Sequence, residues 1–170
     1  MFNTKPANQA QAAEKGSLPY LQARNRNRRM NLLLILAFTA VNMVLLFTNA
    51  DSYFLFSALL PYWLFGFGYF QGISALMVVG GAVLLVYLVL FLLWDKHPAF
   101  PVAALVLFAL DCVFLVWLCL GEPISNYIID IVFHVAMLYY LINGATNAFA
   151  LRKKQKEAAA LEPANQGPEL

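Results

Sequence analysis

Charge is scarce in this chain. Eleven Lys and Arg with nine Asp and Glu make up 12% of its 170 residues, about half the share a soluble globular protein carries. A water-soluble domain is excluded on that ground. Cysteine and histidine occur twice each. Cys112 and Cys119 fall seven positions apart within one expected helix, roughly 10 Å between Cα atoms, which is beyond disulfide reach. A disulfide framework and a Cys-x-x-Cys redox motif are therefore excluded. Also missing are a phosphate-binding loop, a dinucleotide fingerprint and paired zinc-binding histidines on one helix. No catalytic residue, cofactor or metal is assigned from the sequence, and the chain is not expected to be an enzyme. A net charge of +2 offers no basic surface for nucleic acid, which is excluded as a partner.

What fills the chain instead is apolar: 62% of residues are hydrophobic and the mean hydropathy is +0.68. They gather into blocks long enough to cross a bilayer, which takes about 20 residues in a helix. Four spans are expected, at 30–48, 73–94, 100–120 and 124–149, within a membrane domain of residues 24–156. The fold class is all-α, a polytopic integral membrane protein. Arg24, Arg26, Arg28 and Arg29 precede the first block as in a signal peptide. That block is longer than a signal h-region, however, and Thr48-Asn49-Ala50 is a poor cleavage site, so a retained anchor is expected. The tails, 1–23 and 157–170, are rich in Ala, Gln, Asn, Lys, Pro and Gly, and disorder is expected there because they bury too little to offset chain entropy.

Orientation follows from the basic flanks. Arg24 to Arg29 stand before the first span and Arg152, Lys153, Lys154 and Lys156 after the last, which puts both termini in the cytoplasm and makes the number of crossings even. Four spans satisfy this: Lys96 falls in the cytoplasmic loop, while the opposite loops carry Asp51 and Glu122 and no Lys or Arg. The segment 53–70 is apolar but interrupted by Pro61, Gly66 and Gly68, and nine of its eighteen residues are aromatic. It is expected to be interfacial or re-entrant, since a fifth crossing would place four basic residues outside. Such a segment serves as a lid, as a partner-docking surface or simply as an anchor of the bundle. A multi-pass protein of the plasma membrane is the expected localisation. The lipid bilayer is its expected partner, with a membrane-protein partner or a second copy of the chain as the protein contact.

Four polar residues inside the spans are the candidate site: Asp111, Asp130, His134 and Asn42. Lipid-facing carboxylates cost about 2.5–3.5 kcal/mol even on lenient insertion scales, so these side chains should turn inward and meet. The Gly121-Glu122-Pro123 turn makes the last two spans a hairpin. Asp111 then lies roughly 14 Å, and His134 roughly 15 Å, from its tip. Asp130 is one helical turn from His134 on the same face. An Asp111–His134 pair can act as a proton relay or ion site, because imidazole titrates near neutrality, or as a polar clamp between helices. Asp130 and His134 have the i, i+4 spacing of helical metal ligands, but they fall short of a complete ligand set; His97 sits beside Asp95 and Lys96 at the cytoplasmic side. Gly80, Gly81 and the Gly144-x-x-x-Ala148 spacing mark close helix approach, read as internal packing ahead of a dimer face.

The strings NLLLILAFTAVNMVLLFTNADSYFLFSALLPY, ALVLFALDCVFL and IIDIVFHVAMLYYLINGA resemble a group of small four-span membrane proteins of Firmicutes that carry no assigned function. The likeness covers spans one, three and four and includes Asp111, Asp130 and His134. This chain is shorter than those relatives between Pro61-Tyr62 and the second span. The resemblance supplies no role. The spans and their polar residues lead to the expectation of a non-enzymatic transporter-like or accessory membrane component; the alternative is a membrane-embedded enzyme or metal-binding protein using Asp111, Asp130 and His134.

Overall fold

The computed structural model describes residues 14–50, 54, 56–121 and 123–165, with side chains to Leu161. It contains five helices and no strand among those residues: α1 (Leu18–Phe47), α2 (Leu59–Gln71), α3 (Ser74–Leu93), α4 (Ala99–Cys119) and α5 (Ile128–Asn165), the last preceded by a 3-10 turn at Ile124–Tyr127. Four helical stretches, α1, α3, α4 and Ile124–Leu161, are long and apolar enough to cross a membrane. The fold is all-α and polytopic.

Two boundaries differ from the sequence expectation. α1 begins at Leu18, inside the stretch expected to be disordered, and α5 runs on to Asn165. Tertiary contacts tie the start of α1 to α5, and α5 to the α3–α4 turn. Asn147 Nδ2 donates to the Leu21 carbonyl (3.0 Å), Arg24 Nη2 to Asn143 Oδ1 (3.3 Å) and Arg152 Nη1 to the Lys96 carbonyl (3.4 Å). Residues 1–13 and 166–170, and the loop residues Asp51, Tyr53 and Glu122, lie outside the described positions. The same contacts show that both ends of the described chain meet at one end of the bundle, called here the termini end.

A second cluster ties α1 to the α3–α4 turn there. Asn25 Nδ2 and Arg29 Nη1 each donate to Asp95, both at 2.7 Å, and the indole of Trp94 donates to Asn25 Oδ1 at 3.2 Å. Trp94 is buried although it carries the largest side chain. The room comes from Gly144 on α5, where an added Cβ would stand 2.9 Å from Trp94 Cζ2. The Gly144-x-x-x-Ala148 face is thus internal packing. The apolar core above it joins Leu32, Ile35, Tyr87, Phe108, Met137 and Leu141.

α2 is the exception to the spanning pattern. Thirteen residues reach about 20 Å, well short of the 30 Å hydrocarbon layer. Its C-terminal end lies beside the end of α1, with Phe47 and Tyr69 rings 5.7 Å apart. Its N-terminal end lies deeper, where Ala58 N–H donates to Thr39 Oγ1 at 2.8 Å. Thr39 is eight residues before Phe47, about 12 Å along α1. Phe54 and Ala58 therefore lie deeper in the bundle than the end of α1, and α2 runs from there back to the level of that end, the path of a re-entrant helix. Pro61, which reads in sequence as an interruption, occupies the first turn of α2, where a missing N–H costs nothing. Gly66 and Gly68 do not break α2; they let neighbours approach. A Cβ on Gly68 would be 2.7 Å from Met77 N, and one on Gly80 of α3 would be 2.7 Å from the Pro61 carbonyl oxygen. Gly72, at φ 66°, closes α2 in the left-handed conformation that glycine adopts without cost.

Candidate functional site

The deep end of α2 is where the polar residues of the spans converge. A helix begins with backbone N–H groups that have no partner in the helix, and in hydrocarbon no water supplies one. Each donor here has an acceptor from another helix. Leu59 N–H donates to Asp111 Oδ2 (3.0 Å) and Leu60 N–H to Asp111 Oδ1 (2.6 Å). Ala58 N–H is taken by Thr39, and Pro61 has no N–H. The Asp111 carboxylate thus caps α2 from α4, where the helix dipole favours negative charge.

His134 of α5 completes the arrangement. Its Nε2 lies 2.8 Å from Asp111 Oδ2, and its Nδ1 lies 2.7 Å from the carbonyl oxygen of Asp130. A carbonyl only accepts, so Nδ1 carries a hydrogen. One further proton is then shared between Nε2 and Oδ2, and the pair is neutral overall whichever atom holds it. Asp111 and His134 are 1% and 2% exposed, and aromatic rings wall the imidazole. Phe108 stacks on it at 5.2 Å and Phe133 meets it edge-on at 5.5 Å.

Phe54 and Ser57, before α2, are held by α1. Asn42 Nδ2 donates to the Phe54 carbonyl (2.7 Å) and to Ser57 Oγ (2.9 Å), while its Oδ1 accepts from Phe54 N–H (2.8 Å). Asn42, Thr39 and Ser57 are all buried. Of the four sequence candidates, the structure brings Asp111 and His134 into direct contact. It places Asn42 of α1 against Phe54 and Ser57, outside that pair. Asp130 is buried beside His134, yet only its backbone carbonyl takes part; its Oδ1 is buried with no hydrogen-bond partner among the described residues. Thr39 and Ser57 are additions that sequence reading missed, since a buried hydroxyl in an apolar run leaves no periodic signal; the proximity of Ser57 to Pro61 was the available hint of a helix start.

Among the described residues no group of three or more His, Cys, Asp or Glu is placed to hold a metal ion. No family model, curated protein or solved structure matches the chain.

Proposed function

We propose that the chain is a non-enzymatic, transporter-like component of a bacterial plasma membrane, with both termini cytoplasmic and the re-entrant helix α2 as its working element. The observation that supports this most is the start of α2 on Asp111 in the bundle interior. Irregular backbone at membrane depth is tolerated only where it is buried in protein or lines a path, and half-helix ends at mid-depth are the usual construction of solute and ion sites. The resemblance to small four-span proteins of Firmicutes belongs to the same reading. A membrane-embedded enzyme is favoured less, because the oxygens of Asp111 and both nitrogens of His134 are already committed to internal partners.

Purified protein in mild detergent tests the proposal. A screen of ions and small solutes should find one that raises the melting temperature in a concentration-dependent way. No stabilising solute, together with stoichiometric co-purification of another membrane protein, would overturn the transporter-like reading in favour of an accessory subunit.

A further inference from the structure

Among the described residues, Asp130 carries the one fully shielded polar side-chain atom in the membrane interior that has no hydrogen-bond partner. Asp130 is 6% exposed and its Oδ1 meets no donor among the described residues. Its surroundings offer no compensating charge, because no Lys or Arg occurs between Met30 and Asp95 or between His97 and Leu151. The titratable side chains that the structure brings together in this interior are Asp111 and Cys112 of α4, Tyr87 of α3 and His134 on α5 itself. Thr39 and Asn42 of α1 do not titrate. His134 is the only basic group among them, and it forms a neutral pair with Asp111. An ionised Asp130 is therefore an unmatched charge, and a buried charge without a partner is costly.

A metal ion is a poor match to this position. Hard cations take six or more oxygen ligands, and Asp130 offers a single carboxylate in a layer where the neighbouring carboxylate is fully engaged. A proton needs only one. We propose that Asp130 is a reversible proton-binding site, distinct from the Asp111–His134 pair, which fixes α2. Its place on α5 supports this: Asp130 lies one turn nearer the end of the bundle that is opposite the termini than His134 does, about 6 Å along the axis. The inference deepens the transporter-like reading by naming the proton as the coupling ion. In this division of roles, the pair stays closed while Asp130 gains and loses its proton.

Infrared difference spectroscopy of the protein in lipid vesicles, recorded between acid and alkaline pH, reads the site directly. The expected signal is the carbonyl band of a protonated carboxyl without a hydrogen-bond donor, gained as the pH falls and shifted in deuterium oxide. It should be lost in Asp130→Asn and kept, at a shifted position, in Asp130→Glu, with both variants melting near the wild-type temperature. A band that survives intact in Asp130→Asn, or the absence of any such band in the wild type, overturns the inference. The experiment needs no transported solute. A titrating band without solute stabilisation would reject transport alone, and solute stabilisation without the band would reject the proton site alone.

Discussion

Asp111 receives three groups from two helices: the Leu59 and Leu60 N–H donors of α2 and the His134 imidazole of α5. Removing it leaves all three unpartnered, so Asp111→Leu should lower stability by about 3–5 kcal/mol, as for a broken buried pair. Adding His134→Leu relieves only the histidine. The double variant should recover part of the loss and remain less stable than wild type, because two buried N–H groups still lack acceptors at about 1–3 kcal/mol each. Thermal unfolding in detergent measures both, and a double variant as stable as wild type would show that Asp111 does not cap α2. Thr39→Val keeps the shape and removes the acceptor of Ala58 N–H, with an expected loss of about 1–3 kcal/mol in the same assay. The polar residues themselves, and the contact of Asp111 with His134, were legible in the sequence, since charge in lipid must turn inward. The backbone partners of Asp111 were not, because an N–H donor at a helix start belongs to every residue type and becomes visible only when the start is located.

At the scale of elements, α2 and α3 form a tight helical pair whose separation is set by glycine. A Cβ on Gly80 would meet the Pro61 carbonyl oxygen at 2.7 Å and Phe65 N at 2.8 Å, both backbone atoms that cannot rotate away, whereas one on Gly81 would meet nothing within 4 Å. Gly80→Ala should therefore destabilise the protein by about 1–3 kcal/mol through overpacking. Gly81→Ala should be neutral or stabilising by up to about 1 kcal/mol. Equal melting temperatures for the two variants would mean that α2 does not pack on α3 as described. Sequence reading recognised small residues at Gly80 and Gly81 but could not rank them, since adjacent helix positions point about 100° apart and the partner helix decides which is crowded. The same limit applied to Pro61: a proline marks a boundary, and only the three-dimensional start of α2 shows that it opens a helix. The aromatic residues of 53–70 read as interfacial because of their composition. Their contacts divide them, with Trp63 packed on Phe67, Phe114 and Trp117 and Phe70 left 71% exposed.

For the whole molecule, the basic flanks predict an even number of crossings; four helical stretches are long and apolar enough to cross, and the contacts of Leu21, Asn25 and Arg152 gather both ends of the described chain at one end of the bundle. The path between α1 and α3 decides the architecture. If 54–71 re-enters, Ala50 and Gln71, both exposed, lie on one side of the membrane, and Lys96 lies on the other. Single cysteines at these three positions, in a background with Cys112 and Cys119 replaced, can be labelled in intact cells with a membrane-impermeant maleimide. Ala50→Cys and Gln71→Cys should both label from outside, and Lys96→Cys only after the cells are opened. Labelling of Ala50→Cys and Gln71→Cys from opposite sides would make α2 part of a fifth crossing and contradict the re-entrant helix capped by Asp111.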